Sequence, residues 1–158
     1  MVEIEGLGPL LAEHPFFAGM DPSALDTVVS CCANAVYRPG SYIFREDGAA
    51  DHFYLIRSGA VALEVHIPGR QAVVVETLQS GEILGWSWLI PPHTWSSDAR
   101  AAETAQVIVI DGACLRRKME ADRVLGYEIY KRFLPILARR LAAHRRRVVE
   151  LANATDGD

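Results

Sequence analysis

A mainly β domain, an antiparallel roll with helices before and after it, follows from three features of this 158-residue chain. Short runs of β-branched and aromatic residues recur between glycine turns from Ala35 to Asp111. A helix start signal precedes them. A long stretch with regular apolar spacing follows them.

Residues 10–35 read as helical. Leu11, Phe16 and Phe17 come before Asp21-Pro22-Ser23, where Pro22 suits a first helical turn. Leu25, Val28, Val29 and Cys32 then recur at helical spacing. The expected strands are Val36-Tyr37, Ser41–Phe44, His52–Ile56, Ala60–His66, Ala72–Leu78 and Ala105–Ile110. Pro39-Gly40, Asp47-Gly48, Ser58-Gly59, Pro68-Gly69 and Ser80-Gly81 separate the first five runs and close the fifth. Turns so evenly placed between apolar runs make an antiparallel jelly roll, or double-stranded β-helix. The break from Gly85 to Ser97 is crowded with Trp, Pro and Ser and is the one unusual insertion.

Asp111 is placed to cap a short helix through Cys114, Leu115, Lys118 and Met119. A long helix is predicted from about Asp122 to Ala152. Tyr130, Leu134, Leu137, Leu141, His144, Val148 and Leu151 alternate spacings of four and three, an a/d seam over about three heptads. Part of that seam, near Tyr130 and Leu134, is expected to pack on the roll. Pro135 should bend the helix, and the stretch beyond it should project and meet a symmetry mate. Residues 153–158 read as a disordered tail. The division is therefore a roll with N-terminal helices over residues 1–121, and a dimerisation helix with a short tail over 122–158.

Composition bounds the function. Hydrophobic residues at 50% and charged residues at 23% fit an ordinary soluble globular domain. A net charge of −4 argues against a general nucleic-acid binder. Glu3 and Glu5 near the start, with no long apolar run, predict neither a signal peptide nor a membrane span, and a cytoplasmic setting is expected. Cys31, Cys32 and Cys114 lack CxxC spacing and are expected as reduced, buried or half-buried thiols. His14, His52, His66, His93 and His144 show no HxH or HxxxH spacing, so no metal site is expected and a metal-dependent β-roll enzyme is disfavoured. No nucleophile elbow, P-loop or paired-acid motif is present, and no enzyme is predicted. Arg139, Arg140, Arg145, Arg146 and Arg147 make the last helix basic, which offsets the helix dipole and solvates the flank of the seam.

The segment from Gly81 to Ala101 carries the functional signal. Gly81-Glu82-Ile83-Leu84 opens like a turn whose backbone N–H groups can hold an anion. Trp86, Trp88 and Trp95 are all the tryptophans of the chain. They either line an aromatic pocket or plug it, and the plug is the reading taken. Asp98 and Arg100 fall on one side of an extended segment and are expected to form an ion pair.

The order of these elements resembles the effector domain of the catabolite-activator/FNR branch of the cyclic-nucleotide-binding superfamily. Arg38–Gly48 is similar to that family's opening strand and turn, and Asp51–Val61 to its next strand pair. Gly81-Glu82 matches the start of the phosphate-binding cassette, and Ala99 through Asp111 the strand after it. The resemblance implies that the glycine turn takes the cyclic phosphate and that Glu82 bonds the ribose. It also implies an arginine further along, paired with the phosphate. Here Trp95 stands in the arginine's place, Asp98 falls at the neighbouring hydroxyl position, and the cassette is longer. Losing that charge-assisted pair removes the attraction. Ser96 and Ser97 remain as uncharged donors. Replacing Trp95 by arginine together with Asp98 by serine is accordingly expected to restore some binding.

The expected function is a non-catalytic ligand-sensing or regulatory domain that does not bind cAMP or cGMP in the usual way. The alternative is a ligand-free interaction module, a homodimer with a filled-in pocket. No cofactor is expected. The partners expected are a second copy through the last helix, an unidentified protein, and a small molecule. The sequence stops where the family's winged helix-turn-helix would begin, so no DNA-reading module is expected. The candidate site comprises Gly81, Glu82, Ile83, Leu84, Trp86, Trp95, Ser96, Ser97, Asp98 and Arg100.

Overall fold

A computed structural model describes residues 6–156, so Glu3, Glu5 and the last two residues of the expected tail lie outside the described residues. Helix α1 (Leu7–Glu13) and a 3-10 turn (Pro15–Phe17) lead to α2 (Pro22–Val29). Strands β1 (Cys32–Tyr37), β2 (Tyr42–Phe44), β3 (His52–Ser58), β4 (Ala60–Val65), β5 (Val73–Gln79), β6 (Ile83–Leu84), β7 (Asp98–Ala101) and β8 (Ala105–Asp111) follow. A second 3-10 turn, Ser87–Leu89, lies between β6 and β7. The chain ends in α3 (Gly112–Ala121) and α4 (Arg123–Asp156). The strands form two four-stranded sheets in the orders β1-β8-β3-β6 and β2-β7-β4-β5, every pair antiparallel. The predicted roll is the observed fold.

The central strands serve two cores. Alternate residues of a strand face opposite sides, and both sides of β3 are buried. Phe53 and Leu55 face outward to a helical core with Leu7, Leu11, Phe17, Trp88 and Phe133. Tyr54 and Ile56 face into the roll with Phe44, Val61, Leu63, Leu78 and Trp95. Strand β8 divides the same way, Ile108 and Ile110 outward and Val107 inward.

Several elements differ from expectation. The N-terminal helical stretch is broken, because Pro15 and Pro22 each interrupt it, and Cys32 already belongs to β1. Residues 153–156 continue α4 instead of forming a loose tail. Asp111 caps α3 as expected, its Oδ1 accepting from Cys114 N at 2.9 Å. Asp122 separates the two last helices and its Oδ1 accepts from Val124 N and Leu125 N at 3.1 and 3.2 Å. Pro135 lies inside α4.

The cysteine expectation is corrected. Cys31 and Cys114 form a disulfide across 83 positions. Pairing of β1 with β8 sets Cys32 opposite Ile110, and Asp111 N donates to Cys31 O. That register carries Cys31 to the first turn of α3, which sequence distance alone does not disclose. Cys32 remains a thiol that donates to Val28 O at 3.2 Å. Burial pushes it up to about 12, with Lys118 opposing.

His14 joins α1 to the first 3-10 turn. It is 6% exposed, its Nδ1 accepts from Phe16 N at 3.2 Å, and its Nε2 has no hydrogen-bond partner. Burial lowers its pKa, with the Ile56 backbone partly opposing. A depressed histidine leaves the unfolded chain binding more protons, so its stabilisation is present above about pH 6.5 and fades as the pH falls below that value. His14→Asn keeps an acceptor for Phe16 N and removes the titration. Urea midpoints measured from about pH 7 down to about pH 5 should fall more steeply for the unmodified chain than for the variant. Parallel curves would exclude His14 as the source.

Candidate functional site

The segment that resembles a phosphate-binding cassette begins where β5 turns into β6. Gly81 holds φ +89°, a conformation that favours glycine. Its N–H donates to Ile56 O at 2.9 Å, and Glu82 N donates to Gln79 O at 3.1 Å. The two N–H groups expected to cradle an anion are thus spent on backbone carbonyls. The Glu82 carboxylate turns back to its own loop, Oε2 accepting from Gln79 N at 2.7 Å. Ile83 and Leu84 are buried strand residues paired with Leu55 and Tyr54. Ile83 joins the helical core and Leu84 the roll interior.

The three tryptophans do not share one pocket. Trp88 is fully buried in the helical core, its ring stacked on Phe53 at 4.5 Å. Trp86 is half-buried at the rim of the roll. Trp95 fills the roll interior: it is 5% exposed and stacks on Phe44 at 3.7 Å with 7° between the rings. Gly85, at φ +94°, makes room for it, since a Cβ there would lie 2.7 Å from the Trp95 ring. The long insertion holds this ring in place through its backbone. Trp95 N donates to Gly48 O, Asp47 N donates to Trp95 O, and Ala50 N donates to His93 O. The space left beside Trp95, between Phe44, Leu63 and Ser97, is about 20 Å³. That is room for about one water and far short of the roughly 300–1,000 Å³ of a small-molecule site.

Asp98 and Arg100 do not pair with each other. Asp98 is 3% exposed, meets Arg45 Nε at 3.3 Å, and accepts from Glu46 N at 2.7 Å. Arg100 reaches Glu64 instead, with Nη2–Oε1 at 2.6 Å. On paired strands the directly opposite and diagonal neighbours lie within reach, and Glu64 is diagonal to Arg100 across β4 and β7. Asp98 is therefore a buried structural anion, and Arg100 is taken up by Glu64. Ser96 is exposed and Ser97 half-buried at the mouth of the roll.

Helix α4 lies across that mouth and leaves a groove of about 240 Å³ between itself and Leu63, Val75, Trp86 and Ser97. Leu125, Ile129, Phe133, Ile136 and Arg140 form its buried face. Tyr130 and Leu134, expected on the roll, are 54% and 65% exposed. The stretch beyond Pro135 does not project freely but runs along β5. Arg140 Nε lies 3.7 Å from Glu76 Oε1, His144 Nε2 lies 3.2 Å from Glu76 Oε2, and Arg147 Nε donates to Val74 O at 3.0 Å. His144 thus faces β5, and Leu151 borders the groove between α4 and the roll. Tyr130, Leu134 and Leu141 stay exposed on an outward stripe roughly a third of a turn from the packed face, Leu137 is half-buried beside them, and Val148, exposed at the edge of that stripe, also borders the groove. Arg140, Phe44 and Gly85 are site residues the sequence reading missed. The 4-4-3-4 spacing from Leu125 to Arg140 was a visible signal for the first of them.

Among the described residues, no group of three or more His, Cys, Asp or Glu is placed to share a metal ion, and no helix is long and apolar enough to cross a membrane.

An antiparallel two-sheet roll with flanking helices and a long last helix is the architecture of cyclic-nucleotide-binding domains. The family model "Cyclic nucleotide-binding domain" matches residues 35–122, and the chain belongs to that family. It is 26% identical over 132 residues to the CRP-like cAMP-activated global transcriptional regulator of Mycobacterium tuberculosis, a match covering 84% of this chain and 57% of the regulator. The chain thus spans little more than half the length of that relative. A solved structure from Geobacter metallireducens, provisionally described as a cyclic nucleotide-binding protein, is 29% identical with a TM-score of 0.74, covering 89% of this chain and 99% of that one. A cyclic nucleotide-binding domain from Methylobacillus flagellatus superposes with a TM-score of 0.81 at 17% identity, covering 95% of this chain and 86% of the other, a likeness of fold.

Proposed function

We propose that this chain is a non-catalytic regulatory domain whose roll interior takes no cyclic nucleotide, and that it acts on a protein partner as a homodimer. The observation that carries the reading is Trp95, stacked on Phe44 where the resemblance puts the phosphate-pairing arginine. The bound state of Gly81 N and Glu82 N adds to it, since no backbone donor of the turn's first two residues is free for a phosphate. A missing charge-assisted pair typically removes about 2–5 kcal/mol of binding. Calorimetric titration of cAMP and of cGMP into the purified protein should give no saturable heat. A low-micromolar Kd for either nucleotide would overturn the reading.

The dimer is supported by the outward stripe of α4. Tyr130, Leu134, Leu141 and Val148 repeat at four- and seven-residue intervals and each is more than half exposed. A stripe of that period is the kind that supercoils against a copy of itself. The proposed interface is narrower than the seam of seven and centres on Tyr130, Leu134 and Leu141, because His144 is directed at Glu76 and Leu151, with the edge of Val148, borders the roll. The second reading, a ligand-free interaction module, is favoured by the same plug. The two differ in whether any cleft outside the roll is occupied.

A further inference from the structure

Outside the roll, between the Gly81–Ile83 turn, the Pro15–Phe16 corner and α4, lies an open cleft of about 620 Å³. That volume is within the ordinary range of small-molecule sites, about 300–1,000 Å³. Four guanidinium groups line it, those of Arg132, Arg139, Arg140 and Arg146, against two carboxylates, Glu76 and Glu82. Arg132, Arg139 and Arg146 recur every seventh residue, so they lie on one stripe of α4, and Arg140 stands beside them. Ala142 and Ala143, also in the wall, leave room between the arginines.

The two most buried of these cations are under-satisfied. The Arg140 side chain is 7% exposed. Its nearest acid is Glu76 at 3.7 Å, beyond hydrogen-bond distance, and that carboxylate is already shared with His144. Arg132 Nη1 donates to Phe16 O and Ala18 O at 2.7 and 3.0 Å, but its buried Nε has no hydrogen-bond partner, with Glu128 at 3.7 Å. A guanidinium carries five donors, and buried donors without acceptors are costly. Burial lowers the Arg140 pKa, Glu76 and Glu82 partly restore it, and Arg139 works against them. An anion in the cleft would offset the crowding of like charges and offer acceptors to the Arg140 guanidinium, which Glu76 leaves without a hydrogen bond. The guanidinium fork matches phosphate oxygens in particular. Phe16, Ile83 and Ile136 add an apolar wall on the same cleft.

We propose that this cleft binds a phosphorylated small molecule with an apolar or aromatic body, its phosphates on the α4 arginines and its body against Phe16, Ile83 and Ile136. The site is separate from the roll interior, and it stands whether or not a cyclic nucleotide enters the roll. Arg140 lines both this cleft and the residual space beside Trp95, and α4 bears the arginines on one face and the outward apolar stripe on another. A ligand pulling Arg140 away from Glu76 would therefore act on the helix that carries the proposed dimer contact.

The test titrates inorganic pyrophosphate and ADP calorimetrically at low salt, with cAMP as comparator. Each of the first two should saturate at one per chain, and ADP should bind more tightly than pyrophosphate because only ADP offers a body to the apolar wall. Arg139 and Arg146 are exposed on α4, so Arg139→Glu with Arg146→Glu should leave the melting temperature of the free protein unchanged and weaken ADP by at least about tenfold. Arg132→Gln checks the opposite end of the stripe and should weaken pyrophosphate and ADP alike. No saturable binding of either probe at millimolar concentration would overturn the site. So would ADP binding that survives the double charge reversal. ADP binding no tighter than pyrophosphate would overturn the apolar-body assignment.

Discussion

Trp95→Ala should lower the unfolding free energy by about 3–5 kcal/mol, the range typical of removing a large aromatic ring from a closed core. The ring is 5% exposed, stacks on Phe44 at 3.7 Å, and occupies the hollow that Gly85 leaves open. Little around it can collapse into the gap, because the segments beside it are held by backbone pairing of residues 47–50 with residues 93–95. In urea the midpoint should fall with the slope unchanged, since the surface exposed on unfolding hardly alters. A loss below about 1 kcal/mol would mean that the ring is not part of the roll core. The variant should gain no cyclic-nucleotide binding, because opening the hollow frees neither Gly81 N nor Glu82 N from its carbonyl. The rescue expected from sequence, Trp95→Arg with Asp98→Ser, also changes meaning. Asp98 does not repel a phosphate in the hollow but holds Arg45 and Glu46 N, so Asp98→Ser would remove a buried structural contact.

Leu141→Glu should convert the protein from dimer to monomer. Leu141 is 57% exposed on the outward stripe between Leu134 and Val148, and it faces away from the packed residues Ile136 and Arg140. Two copies joined along this stripe would bury each Leu141, at a gain of about 1.5–3 kcal/mol per large apolar side chain. Glutamate would instead set two carboxylates near the two-fold axis. Light scattering at micromolar concentration should report half the mass for the variant, with the roll's melting transition retained. An unmodified protein that is already monomeric at that concentration would sink the dimer. His144→Ala should have little effect on assembly, because His144 is directed at Glu76 of its own chain.

The roll was legible because its signals are local. Glycine turns between β-branched runs impose strand ends whatever lies elsewhere in the chain, and the predicted strands match β2 to β5 and β8 to within a residue or two. Asp111 capped α3 for the same reason, since a cap needs only the three residues that follow it. The turn at Gly81-Glu82 was legible in the same way, since Gly81 takes the positive φ that its glycine allows.

What the sequence left open depended on residues far apart in it. Spacing shows that α4 has apolar stripes but not which stripe meets the roll. Leu125, Ile129, Phe133 and Ile136 won that face because they fit the helical core beside Phe16, Phe53 and Trp88. Asp98 and Arg100 found Arg45 and Glu64, and Cys31 found Cys114, through strand pairings that bring distant segments into register. Whether the tryptophans lined a pocket or filled it was also a question of packing, since Trp88 and Trp95 lie on opposite sides of one sheet. The cationic cleft is of this kind too. The seven-residue recurrence of Arg132, Arg139 and Arg146 is written in the sequence, but only the fold of α4 against β5 and the cassette gives those charges a cavity to face.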